Sequence, residues 1–260
     1  MKGFGFFLGG LLLEVVGFKA ALWAMAALIA AVLVTGLLLL PRQLGKAASS
    51  KSIRELFAKS RGINLLAAAR VFLFGARDVW FVVGLPVFLY ANGWTFLQVG
   101  IFLAVWTIGY GFVQAVAPQF VKRSTDGLSN EVPSARIWSL VLVALPVALA
   151  VMMQTSMLPR LGLVIAFGLA LFGFAFAVNS SLHSYLILAY AGSKKAAEDV
   201  GFYYAANAAG RLGGTLLSGL LYQVGGMTGC LLGSAVMLTL CWLITLILPT
   251  AENGMQPTAH

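Results

Sequence analysis

Three arginines lie inside long apolar stretches of this chain: Arg70 and Arg77 within residues 63–91, and Arg211 within 200–223. An ionisable group at bilayer depth is costly unless it faces a partner or a wet cavity, so each arginine is a functional candidate. Arg77 and Arg211 fall near the middles of their stretches, which brings two guanidinium groups to the bilayer midplane on two different helices. Asp78 follows Arg77 and can balance one of them. Glu14, in an earlier stretch, can balance another only if the fold brings it close. A site with surplus guanidinium wants an anion, because the planar fork pairs bidentately with phosphate, arsenate or carboxylate. The plainer alternative is an Arg77–Asp78 pair that locks helices, with Arg211 bonded to backbone carbonyls. The midplane placement on two helices favours the anion. Arg70 lies two turns before Arg77 on nearly the same face, closer to the cytoplasmic surface, where its long stem can also snorkel.

Polar neighbours fit the same chemistry. Asn207 is one turn before Arg211, and Asn179 is one turn before His183; Asn64, Gln98 and Gln114 are the other amides in apolar stretches. A hydroxylated anion needs such donors and acceptors, although any single amide is more often an interhelical hydrogen bond. The substrate-binding set is therefore Arg77, Arg211, Arg70, Asn207 and Asn179. Asp78, Glu14 and His183 are the candidates for charge pairing or proton coupling; a histidine titrates near neutral pH, but a lone one near a helix end is more often structural. No Gly-rich phosphate loop, no metal-ligand spacing and no nucleophile elbow occurs, so an enzyme is not expected, nor any cofactor beyond a coupled proton. Cys230 and Cys241 share a helix face roughly 16 Å apart along the axis, too far for a disulfide or a shared ion, and read as core filling.

The elements that must position these residues are membrane helices. Of 260 residues, 60% are hydrophobic and 10% charged, and mean hydropathy is +0.94. A soluble domain carries about 25% charged residues. Spanning β-barrels alternate apolar and polar positions, whereas the runs here are continuous. Eight apolar segments are expected, at 3–18, 20–40, 63–91, 95–121, 137–157, 161–190, 200–223 and 227–249, with a basic loop at 41–61 and a polar tail at 250–260. Residues 1–18 lack the small-residue cleavage site of a signal peptide, and Glu14 interrupts them. The net charge of +9 is explained by loops that stay in the cytoplasm better than by nucleic acid, since no loop interleaves basic and stacking groups. Twelve of the 17 Lys and Arg fall on one side, six of them in the 41–61 loop, while only Lys19 and Arg160 fall on the other. That bias places both termini in the cytoplasm.

Two helices (1–40) precede the basic loop and six (62–249) follow it. A six-helix bundle after a long cytoplasmic loop is the layout of half a major facilitator transporter, built as two inverted three-helix repeats. The two leading helices are then the end of the other half, four helices are expected upstream, and Met1 reads as an internal methionine; a complete eight-helix protein is the rival expectation. Gly210, Gly214 and Ser218 form a small-xxx-small stripe that predicts close helix approach. Pro86, Pro118 and Pro146 allow bends in or at the ends of helices.

The stretches KGFGFFLGGLLL (2–13), SIRELFAKSRGINLL (52–66), LLAAARVFLFGARDVWFVVGLPVFLY (65–90) and SYLILAYAGSKKAAEDVGFYYAANAAGRLGGTLLSGLLYQ (184–223) resemble the organoarsenical efflux permeases of bacterial arsenic-resistance operons, the ArsJ family of the major facilitator superfamily. The resemblance covers essentially the whole chain and corresponds to the last eight of twelve helices. It implies export of 1-arseno-3-phosphoglycerate across the bacterial inner membrane by alternating access. It also implies a functional link to a glyceraldehyde-3-phosphate dehydrogenase-like enzyme that makes this ester from arsenate. The resemblance brings no residue roles with it. The superfamily's loop motif, Gly-x-x-x-Asp-Arg-x-Gly-Arg-Arg, is reduced at QFVKRSTDG (119–127) to a basic pair and a displaced Asp126, so gating through that motif is not expected in this half. A drug, sugar or organic-anion exporter, and a non-transporting membrane partner protein, are the alternatives.

Overall fold

The structure is a computed structural model that describes residues 2–39, 59–121, 123–154 and 161–250. Most of the expected 41–61 loop, Lys122, Arg160 and all but the first residue of the polar tail lie outside the described residues. Among the described residues all regular structure is helical, with no strand. The helices are α1 (Lys2–Val16), α2 (Phe18–Leu39), α3 (Arg61–Phe81), α4 (Gly84–Ala91), α5 (Phe96–Val116), α6 (Glu131–Gln154), α7 (Leu161–Tyr190) and α8 (Gly192–Leu246), with a 3-10 turn at Ala117–Gln119.

Six helical stretches are long and apolar enough to cross a membrane, counting Arg61–Ala91 and Ala196–Leu246 as one each, while the apolar helix Gly3–Val16 is shorter. By length and composition this is a multi-pass helical membrane protein. The sequence count of eight segments differs from six at two places. The first segment, ended by Gly17 at φ 79°, is too short. The last two run together as α8, which nonetheless folds back on itself. Cys230 Sγ lies 3.6 Å from Ser218 O, whereas twelve residues of straight helix would separate them by about 18 Å. The reversal falls at Gly226, whose φ of 59° lies in the left-handed region that glycine enters without steric cost. α8 therefore has two antiparallel arms, one before and one after Gly226.

The chain divides into two units, residues 1–58 with 93–108, and residues 59–92 with 109–260. In the first, α1 lies backbone to backbone on the start of α5: a Cβ placed on Gly10 would stand 2.8 Å from Phe96 O, and one on Gly100 2.9 Å from Phe6 O. α2 buries only Ala21. A helix that is apolar on all faces and exposes them is built for lipid contact. α5 starts with a capping box, Thr95 Oγ1 accepting from Gln98 N at 3.2 Å and Gln98 Oε1 from Thr95 N at 2.9 Å. That reciprocal pair accounts for Gln98.

In the second unit α3 is held against both arms of α8. The small-residue stripe lies on α3 as expected: a Cβ on Gly210 would stand 2.2 Å from Val71 O, and one on Gly214 2.4 Å from Gly75 O. Ser218, third in the stripe, does more than pack. Its Oγ accepts from Val83 N at 3.2 Å and Gly84 N at 3.1 Å, where the apolar stretch 63–91 breaks into α3 and α4. The break follows from Pro86, which has no N–H to offer the carbonyl of Val82. Ser218→Ala leaves two amide protons at the break without this acceptor. It is expected to destabilise the protein by about 1–3 kcal/mol, read as a lower melting temperature in detergent.

Polar contacts tie helix ends together at one end of this unit. Arg136 donates to the carbonyls of Leu246 at 2.9 Å and of Thr245 and Leu248 at 3.4 Å, capping α8 with a cation where its dipole is negative. Tyr190 Oη donates to Pro249 O at 2.6 Å. Lys59 pairs with Asp199 at 3.0 Å and Glu198 at 3.4 Å. Burial opposes the Lys59 charge, but the two carboxylates outweigh it and raise its pKa. A raised pKa means that this contribution is complete below the ordinary lysine value and fades only as pH climbs past it. α6 and α8 both start earlier than their apolar segments, because EVPSAR carries an acidic first turn and SKKAAEDV is rich in helix formers.

Candidate anion site

α3 and the first arm of α8 bring Arg77, Asp78 and Arg211 together. Arg77 Nε donates to Asp78 Oδ1 at 2.7 Å, and its Nη2 contacts the same oxygen. Arg211 Nε donates to Asp78 Oδ2 at 3.0 Å. One carboxylate, 1% exposed, thus serves two guanidinium groups and leaves the group of three with a net positive charge. The sequence reading gave Asp78 one arginine to balance and Arg211 only carbonyls or a ligand; the close approach at Gly214 is what lets Asp78 reach both.

The two arginines differ in what they have left. Arg77 is 12% exposed and stands among aromatic rings, its Cζ 5.2 Å from the Phe74 centroid and 5.5 Å from Phe176. Arg211 is 43% exposed. It spends only Nε on Asp78, and its two Nη groups bond no described residue. A guanidinium carries five N–H donors, so four on Arg211 remain for a ligand. Asn207, one turn away, has a buried Oδ1 with no hydrogen-bond partner.

The other candidates lie elsewhere. Arg70 is buried deeper on α3, where its Nη1 donates to Ser180 Oγ at 3.1 Å and to Ser180 O at 3.3 Å. Its Cζ lies 3.9 Å from the Phe74 centroid, so Phe74 stands between Arg70 and Arg77. It does not snorkel: only 4% of it is exposed. Asn179 donates to Ser139 Oγ on α6 at 3.2 Å, an interhelical bond. His183 is fully buried with both ring nitrogens unpartnered. Glu14 is in the first unit, where it accepts from Leu97 N at 3.4 Å. Asn64 donates to Lys59 O at 3.0 Å.

Sequence reasoning did not single out Phe74, Phe176, Tyr110 or Ser180. Phe74 and Phe176 meet edge-on at 5.0 Å, and Tyr110 tilts against Phe176 at 5.6 Å. Nothing distinguishes these residues from core aromatics until the arginines are placed among them.

Asp126, in the loop after α5, accepts from Leu128 N and Ser129 N at 3.1 Å each. Hydrogen bonds from the Ser129 hydroxyl and the two backbone amides hold its carboxyl well below the usual range. The Ser124 hydroxyl donates to Glu131 instead. Being depressed, this pKa keeps the turn stabilised down through the ordinary carboxylate value of about 3.9, with loss only at lower pH.

No protein-family model matches the chain, and no match was found among curated proteins or solved structures. Fold and site together define a multi-pass helical membrane protein with a surplus-arginine cluster between two of its helices.

Proposed function

We propose that this protein is a secondary transporter of the major facilitator type that exports a phosphorylated organoarsenical anion, 1-arseno-3-phosphoglycerate, from the bacterial cytoplasm by alternating access. The observation that carries the reading is Arg211: a guanidinium on a membrane-helix face, held at one end by Asp78 and with both Nη groups bonded to no described residue. Arg211 and Arg77 take the anionic group, Asn207 a hydroxyl, and Arg70 with Asn179 stand deeper. The family resemblance in residues 2–13, 52–66, 65–90 and 184–223 supplies the particular substrate, the inner-membrane location with cytoplasmic termini and the link to a glyceraldehyde-3-phosphate dehydrogenase-like enzyme. Asp78, Glu14 and His183 are the candidate carriers of a coupled proton. No chemical step is assigned to the protein.

A second reading is favoured by the same carboxylate. Asp78 satisfies both arginines at once, as a purely structural lock would. Expression in an arsenate-sensitive bacterium separates the two. Transport predicts resistance only when the gene and that of the dehydrogenase-like partner are both present. Equal sensitivity with and without the gene, at normal membrane abundance, would overturn the export reading.

A further inference from the structure

Every described carboxylate in the unit formed by residues 59–92 and 109–260 is engaged away from Arg70. Asp78 serves Arg77 and Arg211. Glu198 and Asp199 serve Lys59, Glu131 holds Ser124 and Asp126 holds its own turn. Arg70 is 4% exposed, and its partners among the described residues are all neutral: Ser180, and the rings of Phe74 and Tyr203, whose centroids lie 3.9 and 4.8 Å from Cζ. A guanidinium does not shed its proton in a protein, so burial cannot neutralise it as it can a lysine. An uncompensated charge at this depth demands a counter-charge.

The groups beside Arg70 say which kind. Arg70 Nε is buried with no hydrogen-bond partner, as are the Tyr203 hydroxyl and both nitrogens of His183. His183 lies within electrostatic range of Arg70. A neutral imidazole carries one N–H, a phenol one O–H and the guanidinium its free Nε–H. Three buried groups on three elements, α3, α7 and the first arm of α8, thus hold polar atoms with no hydrogen-bond partner among the described residues, near one positive charge. A cation is excluded by that charge. His183 and Tyr203 are 0% exposed, which leaves no approach for an organic anion. A halide accepts from N–H and O–H without directional lone pairs, and chloride, a single atom, is smaller than any carboxylate or phosphate.

We propose that Arg70, His183 and Tyr203 hold a resident chloride ion inside the bundle, separate from the exposed Arg77–Arg211 site. On this assignment Arg70 serves a structural anion rather than the transported one, and Arg70 and His183 leave the substrate and proton sets of the transport reading, whose Arg77–Arg211 core is untouched. The test uses the full chain purified in detergent at constant ionic strength, with chloride or bromide replacing gluconate and the melting temperature as readout. The expected result is a saturable rise with halide. Tyr203→Phe, which keeps the ring and removes the donor, should weaken the half-saturating chloride concentration about tenfold, a change worth roughly 1.4 kcal/mol. Arg70→Gln should abolish the response, and Arg77→Gln should leave it intact. Equal melting temperatures in chloride and gluconate would overturn the proposal. So would an unchanged halide response in Tyr203→Phe, a variant mild enough to fold whatever becomes of Arg70→Gln.

Discussion

Arg77→Ala and Arg211→Ala are each expected to abolish arsenate resistance while leaving the protein in the membrane at normal abundance. The second half of that expectation comes from the shared carboxylate. Asp78 bonds Arg77 through Oδ1 and Arg211 through Oδ2, so removal of either arginine leaves a neutral pair rather than an orphaned buried charge. The double variant has no such protection. It strands Asp78, 1% exposed, and should lower abundance sharply, because an unpaired buried carboxylate costs several kcal/mol. The first half comes from the ligand. A charge-assisted hydrogen bond is worth about 1.5–3 kcal/mol, so each single variant should weaken binding by roughly 10- to 150-fold. Resistance titres alongside membrane immunoblots check this. Full resistance in either single variant would make that arginine structural.

Gly210→Leu is expected to prevent folding, whereas Gly213→Leu, three residues on, should be tolerated. A Cβ at Gly210 would stand 2.2 Å from Val71 O and 2.7 Å from Val71 Cα, while nothing lies within 4 Å of one at Gly213. The obstruction is backbone, so no rotamer change relieves it, and α3 must move away from α8. Overpacking a core costs about 1–3 kcal/mol even where side chains can yield, and here they cannot. Separation would also pull Ser218 from the α3–α4 break and Arg211 from Asp78. Monodispersity after detergent extraction reads the outcome. Equal behaviour of the two variants would mean that α3 and α8 do not meet at Gly210.

The chemistry of the site was more legible in the sequence than its geometry. Arg77, Asp78 and Arg211 stand out because ionisable groups are rare in apolar helices, and the Gly210–Gly214–Ser218 stripe shows because small residues at that spacing have one main use. Periodicity along one helix cannot say which helix lies opposite. The double use of Asp78, the Ser218 contact at Val83–Gly84 and the isolation of Arg70 from any carboxylate all depend on that pairing. The fold back at Gly226 was readable only as a gap between apolar runs. The break at Val82–Val83 was signalled by Pro86 as a permitted bend, although the continuous hydrophobicity of 63–91 kept the stretch as one segment. Gln98 looked like a possible ligand, and Thr95 three residues earlier was the sign that it is a cap.

The most direct measurement is uptake by everted membrane vesicles containing the protein. Phosphorylated arsenical would be generated outside them by the dehydrogenase-like enzyme from arsenate, glyceraldehyde 3-phosphate and NAD+, the last taking the hydride that the aldehyde loses. Export from the cell becomes uptake in this orientation. The account predicts arsenic accumulation that requires both the enzyme and the protein and is lost in Arg211→Ala. Vesicles that accumulate no more arsenic than those lacking the protein, with the protein shown to be present and folded, would contradict it.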